Sequence, residues 1–461
     1  MLDVVSPYDL SLIQQIPLQS KEEIETTLTR AHELFSNQQY WLPPYNRIAI
    51  LERTAILMEE RMDELTKTAA QEGGKPYTDS KVEVLRAING VKLAAEHISQ
   101  LKGEQILMGL TEASDHRIAF TLREPIGVVA SISAFNHPIN LIVHQTITAI
   151  AAGCPVIIKP ALTTPLSCLA MVEILKEAGL PEGWCQVVVC MDEVAELLVT
   201  DPRVNYLSFI GSAKVGWYLK SKLSPGTRCA LEHGGAAPVI VEPDANLSEA
   251  LPLLSKGGFY HAGQVCVSVQ RVFVHHNILD ELSSGLVGLA KDLKVGDPLE
   301  EDTEVGPLIL PREVNRVEQW VNEALDEGAE LLYGGKRISD TCYRPTILLN
   351  PSPSTKVSTN EVFGPVICLY TYNDRDQVID MANSLDLHFQ ASVFTQDIDV
   401  AMDCIKKLNA TGVMVNDHTA FRVDWMPFGG RDHSGLGMGG IQYSMHEMTR
   451  EKLAVIKSKS L

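Results

Sequence analysis

One cysteine in this chain stands in a setting suited to covalent chemistry. Cys266 lies in GGFYHAGQVCVSVQR, with glycines at 257, 258 and 263 ahead of it. A thiolate there can attack an aldehyde carbon to form a thiohemiacetal, which becomes a thioester when hydride leaves. The thiol needs a lowered pKa or a neighbouring base. Glu232 opens the segment EHGG, where two glycines leave room for a carboxylate to approach. Such a base is used twice, first on the thiol and then on the water that hydrolyses the thioester. Asn136, in SAFNHPIN, follows an apolar run ending in Ser133 and precedes Pro138. Its amide, with the backbone N–H of Cys266, makes a two-donor hole for a developing oxyanion. Each residue also has a plainer reading: a buried thiol, a surface glutamate before a turn, an Asx turn or helix cap. Only convergence of the three separates chemistry from structure.

The elements that must bring them together are legible as patterns. Residues 21–35, 47–71 and 78–102 carry apolar side chains at three- and four-residue spacing, as amphipathic helices do. From 127 onward short apolar runs alternate with helical stretches. They are 127–133, helix 138–152, 155–159, helix 165–178, 186–189, helix 192–199, 204–210 and helix 212–223. Apolar strands alternating with helices indicate a parallel sheet covered on both faces. After a break at 232–236 a second series follows, with strands at 237–242, 272–275, 366–372, 391–395 and 412–416 and a helix over 312–327. The expected fold is therefore α/β. It has a discontinuous first domain of dinucleotide-binding type (1–104 and 125–234), a second α/β domain (235–447) and an arm (105–124 and 448–461). Segment 105–124 reads as a β-hairpin able to pair with 452–458, and an exposed strand edge of this kind invites association. A homodimer or homotetramer is expected.

Strand 204–210 ends at Gly211, and Ser212 opens the next helix, whose free N–H groups attract an anion. The segment FIGSAKVG lacks G-x-G-x-x-G, and a plain strand–helix turn is its alternative reading. Gly216 allows close helix–strand packing.

Bulk properties exclude other classes. The net charge is −19, which disfavours nucleic acid and anionic membrane as partners. Nine cysteines show no C-x-x-C pair and no Cys/His ligand spacing, so neither a disulfide framework nor a metal site is expected. The first residues carry no cationic, apolar leader and no stretch of 18 apolar residues occurs, which points to the cytoplasm.

The motifs GQVC at Cys266, LEHGG at Glu232, AFNHP at Asn136, IIKPA at Lys159, FIGSAKVG at 209–216, EVFGP at 361–365 and MPFGG at 426–430 occur in one order. In that order and spacing the chain resembles the aldehyde dehydrogenase superfamily from about residue 20 to its end. The resemblance implies two Rossmann-type α/β domains plus a β-hairpin oligomerisation arm, with NAD(P) as cofactor. It implies Cys266 as nucleophile, Glu232 as general base and Asn136 as oxyanion donor. Lys159 would meet the adenosine ribose, Ser212 the pyrophosphate, and Glu361 and Phe363 the nicotinamide ribose and ring. Ser133, Gly211 and Gly216 would complete the cofactor contacts.

Many NAD-preferring relatives carry a glutamate three residues after this lysine. Leu162 stands there in this chain, so NADP is expected to be tolerated or preferred. Other departures are His233 where leucine is usual, and Phe135 and His137 where tryptophan and phenylalanine are frequent. The loop 416–430 resembles the border of a substrate tunnel and holds Arg422 and Phe428. With Phe135 these are candidate substrate contacts. Arg422 suits a carboxylate or phosphate on the aldehyde, or else an ion pair with Asp424 or a subunit neighbour. The motif detail is closest to the branch of lactaldehyde, glyceraldehyde-3-phosphate and phosphonoacetaldehyde dehydrogenases, which implies a small polar or anionic aldehyde. A CoA-acylating relative would lack Glu232, and a non-catalytic scaffold would lack members of the Cys266, Glu232 and Asn136 set.

Overall fold

The computed structural model describes residues 1–461. Two sheets organise it. The first runs in the order Gly435–Leu436, Arg228–Glu232, Val204–Ile210, Val128–Ile132, Val156–Lys159 and Cys185–Val187. All its pairings are parallel except that of Gly435–Leu436 with Arg228–Glu232. Every residue of Val156–Lys159 is buried, as helices on both faces require. The second sheet has seven strands, in the order Glu330–Tyr333, Thr346–Leu349, Val366–Tyr372, Arg271–His275, Pro238–Val241, Gln390–Phe394 and Gly412–Val415. Only its first pair is antiparallel. An α/β fold is thus present, with a separate apolar core about each sheet.

Several expected elements differ in detail. The helix anticipated over 47–71 is two helices, Pro44–Glu60 and Met62–Gly73, separated at Arg61 with φ −110° and ψ 19°. Apolar spacing survives a one-residue break, so periodicity alone does not reveal it. The helix anticipated over 78–102 is Tyr77–His97 followed by a single 3-10 turn. That over 138–152 begins at Asn140 and passes through a π turn at Val143–Ile147. Helices Leu247–Phe259, Leu279–Asp292, Arg375–Ala382, Ile398–Lys407 and Ile441–Glu447 were not anticipated.

Segment 105–124 is less of a hairpin than its pattern implies. Gln105–Ile106 pairs with Arg117–Pro125 at only two positions. All nine residues of Arg117–Pro125 pair instead with Thr449–Lys457, antiparallel. The expected docking of the C-terminal run is therefore present, and it carries most of the sheet.

Candidate active site

Strands Val128–Ile132, Val156–Lys159 and Val204–Ile210 end at a common edge, over a cleft of about 650 Å³. The amino ends of the helices that follow these strands are treated differently. Ahead of Asn140–Ile142, the N–H groups of Ile139 and Asn140 donate to Glu83 Oε1 at 2.8 and 2.9 Å. Ahead of Leu166–Glu177, those of Leu166 and Ser167 donate to Glu72 at 2.7 and 2.8 Å. Helix Ala213–Lys222 has no side-chain cap, and Ser212 before it is exposed on the cleft. Two sites for negative charge are thus filled by the chain's own carboxylates, and the third is left free for a phosphate.

The rest of that end of the cleft is built tightly. Gly211 donates its N–H to the Glu232 carbonyl at 3.0 Å, tying the turn before the Ser212 helix start to the candidate base. A Cβ on Gly216 would lie 2.0 Å from His233 Nε2, so no larger residue fits there. His233 itself packs between the rings of Phe209 and Trp217, and its Nδ1 faces the His433 carbonyl at 2.9 Å. Burial lowers its pKa. These contacts make it a core histidine. Lys159 lies nearly buried at its strand end, paired with Asp192. Ser133 donates its N–H to the Lys159 carbonyl, and its hydroxyl has no protein partner.

Cys266 follows a turn in which His261, Ala262 and Gly263 all have positive φ (50°, 52° and 69°). A Cβ on Gly263 would meet the Gly364 carbonyl oxygen at 2.1 Å, so the approach needs glycine. Three segments are pinned to this turn. Asn136 Nδ2 donates to the Gln264 carbonyl at 2.9 Å. Gly235 donates its N–H to the Cys266 carbonyl at 3.0 Å. Gln264 Nε2 donates to the Pro307 carbonyl at 3.1 Å, and its Oε1 accepts from the Ile309 N–H at 2.9 Å. Behind Asn136, Lys75 donates to its backbone carbonyl at 3.1 Å while also bonding Glu83, and both charges are buried.

Cys266, Glu232 and Asn136 therefore line one cleft, together with Phe135, Glu361, Phe363, Phe428 and Arg422. Burial, reinforced by the Glu232 carboxylate, pushes the Cys266 thiol well above its ordinary pKa. Burial also raises Glu232, and Arg422 opposes that rise. Glu361 is pushed up to about 8 by burial, and its Oε1 has no protein partner. Phe363 has φ 45°, and its ring stands edge-on to Phe135 at 5.8 Å.

Arg422 does not pair with Asp424, one of the partners expected for it. Its guanidinium lies over Phe428 at 3.6 Å from the ring centre and 3.8 Å from Glu232 Oε1, with Nε unpartnered. Asp424 is engaged by Arg86 at 2.8 and 3.1 Å, by His144 at 2.8 Å and by Asn140 at 3.2 Å. Arg86, Lys75, Glu83, Gln264 and Asp192 were not foreseen as site residues. In sequence they resemble ordinary helix and loop polar residues, and no local motif marks them.

The sequence profile described as "Aldehyde dehydrogenase family" matches residues 1–454. The chain belongs to the aldehyde dehydrogenase family. It is 38% identical to a 3-sulfolactaldehyde dehydrogenase of Priestia aryabhattai, over 99% of this chain and 94% of that protein. It is 39% identical to a lactaldehyde dehydrogenase of Methanocaldococcus jannaschii, over 99% and 97%. Among solved structures it is similar to glyceraldehyde-3-phosphate dehydrogenase GapN from M. jannaschii complexed with NADP, at TM-score 0.95 and 38% identity, covering 99% of both chains. The dehydrogenase oxidises an aldehyde with NAD(P). Its cleft fits such a dinucleotide on its own terms. An uncapped helix start lines it, and so does Glu361, a buried carboxyl group with one oxygen, Oε1, left without a protein partner. No helix is long and apolar enough to cross a membrane.

Proposed function

We propose that the dehydrogenase converts its aldehyde to a carboxylate through a thioester on Cys266, with Glu232 as general base and Asn136 as oxyanion donor. The observation that carries this reading is their convergence on one cleft beside a free helix start. The raised thiol pKa means that Cys266 rests protonated, so a base must act before attack. Glu232 accepts that proton, and burial makes it a stronger base than an exposed carboxylate. Sγ then bonds to the carbonyl carbon. The oxygen that gains charge is met by the Cys266 N–H and by the Asn136 amide hydrogen not given to Gln264. Bound NAD(P)+ would supply the hydride acceptor, with Lys159, Gly211, Ser212 and Ser133 holding its phosphate and adenosine half and Glu361 and Phe363 its nicotinamide half, while Gly216, buried against His233, serves helix–strand packing rather than cofactor contact. Once thioester stands on Sγ, Glu232 loses its proton to solvent and takes one from water. The water oxygen bonds to the carbonyl carbon, the C–S bond breaks and the thiol is restored. A base in this position favours water over CoA as the acyl acceptor.

The substrate within this reading is a small polar or anionic aldehyde. Arg422 supports it, because its guanidinium is buried in the cleft with unused hydrogen-bonding capacity, while Phe135 and Phe428 supply apolar walls. The names of the relatives point the same way, since sulfolactaldehyde and glyceraldehyde 3-phosphate each carry an anionic group. NADP is accepted alongside NAD, because Leu162 removes a carboxylate that would repel a 2′-phosphate. The division into cofactor-binding, catalytic and arm parts belongs to the same reading. The separate sheets support it, although strand Gly435–Leu436 crosses to the first sheet. Exposed Leu453, Val455 and Ile456 on Thr449–Lys457 support association into a homodimer or homotetramer. The nine free cysteines suit a reducing cytoplasm.

A panel of neutral and anionic aldehydes, followed spectrophotometrically with both cofactors and with CoA added, tests the whole. Carboxylate formation, lost on Cys266→Ala with cofactor binding intact, is the expected result. Acyl-CoA as the sole product, or undiminished turnover in C266A, would refute the reading.

A further inference from the structure

The adenosine end of the cleft holds an ion pair that the proposed chemistry does not use. Lys159 ends the strand Val156–Lys159 with only 6% of its side chain exposed, and its Nζ lies 3.2 Å from Oδ1 of Asp192. Asp192 opens helix Asp192–Thr200, and its side chain is 89% exposed. Both residues line the same cavity as Gly211 and Ser212, while Cys266 and Glu361 line it too. With a pyrophosphate on the helix start after Ser212, the groups at the ends of neighbouring strands meet the adenosine ribose. In such sites a carboxylate accepts from the ribose 2′-OH of NAD, whereas an unpaired cation holds the 2′-phosphate of NADP. Leu162 offers neither. Lys159 offers a cation, but one already neutralised by its neighbour. The amino end of the Asp192 helix would attract a phosphate by its dipole, and Asp192 puts a carboxylate in that place instead.

We propose that Asp192, through its pairing with Lys159, discriminates against the 2′-phosphate, so that the dehydrogenase binds NAD more tightly than NADP. The inference rests on the reading that this end of the cleft holds the adenosine ribose. A 2′-phosphate must compete with Asp192 for Lys159 and is repelled by the carboxylate it displaces. The 2′-OH of NAD instead finds an acceptor and a donor side by side. Because Asp192 is exposed, it can swing into solvent, and NADP is penalised rather than excluded.

Calorimetric titration of the protein with ADP-ribose and with 2′-phospho-ADP-ribose tests this without any chemistry at the nicotinamide. The unphosphorylated ligand is expected to bind about tenfold more tightly, the equivalent of about 1.4 kcal/mol. Asp192→Asn, at an exposed position where folding is not at risk, is expected to erase or reverse that ratio. Lys159→Met is expected to weaken 2′-phospho-ADP-ribose further. A ratio that moves less than twofold in D192N overturns the proposal, as does wild-type preference for the phosphorylated ligand. Normal titrations with no oxidation of any aldehyde would instead sink the proposed reaction and leave Asp192's role standing. Failure to bind either ligand would sink both.

Discussion

Charged side chains are buried on both sides of the Asn136 turn, and the two sides treat them in opposite ways. Behind the turn, Glu83 has a full set of partners in Lys75 and the N–H groups of Ile139 and Asn140, and Lys75 spends a further hydrogen on the Asn136 carbonyl. In front of it, Glu232 has only Arg422 at 3.8 Å, Glu361 leaves one oxygen unpartnered, and Arg422 leaves Nε unpartnered. Complete satisfaction makes a buried charge part of the scaffold. Incomplete satisfaction leaves capacity for something that arrives later, such as a carbonyl, a water, a ribose or an anion.

That contrast can be broken or sharpened by substitution. Glu232→Gln should have the largest effect on turnover, a loss of roughly 10²–10⁴-fold. In the wild type, activity should rise with pH through the raised Glu232 pKa, and this acidic limb should vanish in E232Q. Glu83→Gln should act on stability instead, costing about 3–5 kcal/mol in denaturant unfolding because it strands the buried Lys75 charge. A variant of Glu83 that unfolds normally yet turns over slowly would erase the distinction between the two sides.

Arg422→Ala should raise KM for anionic aldehydes about tenfold while leaving neutral ones nearly unchanged. It should also move the acidic limb to higher pH, since Arg422 holds the Glu232 pKa down. Equal loss on neutral and anionic substrates would assign Arg422 to Glu232 alone.

The smallest effect should come from Glu361. Its folded pKa of about 8 exceeds the ordinary 4.5, so between those values the folded protein holds a proton that the unfolded chain has lost. Stability contributed by that proton falls as pH rises through the window. Glu361→Gln should flatten this part of the melting-temperature profile of the free protein.

Much of the fold was legible because buried parallel strands are written as apolar runs and surface helices as three- and four-residue spacing. The strands ending at Ile132, Lys159 and Ile210 were found this way, and with them the helix start at Ser212. The break at Arg61 and the short pairing of Gln105–Ile106 were not, since neither changes the apolar pattern around it. Among candidate site residues, Cys266, Glu232 and Asn136, which line one cleft, were recognisable from small flanking residues and from a family resemblance. Lys75, Glu83 and Asp192 were not, because a charge becomes informative only when its partner is known. Those partners lie eight and 61 positions from Lys75 and 33 from Asp192, outside any local motif.

The order of residue types along the chain thus determined which groups were available for chemistry and which segments had to be buried. Tertiary structure alone decided which charges were spent on holding the turn and which were left free to react. The physical reason is that hydrogen-bond satisfaction and desolvation depend on three-dimensional neighbours, so two glutamates of identical composition, Glu83 and Glu232, acquire opposite roles only after folding.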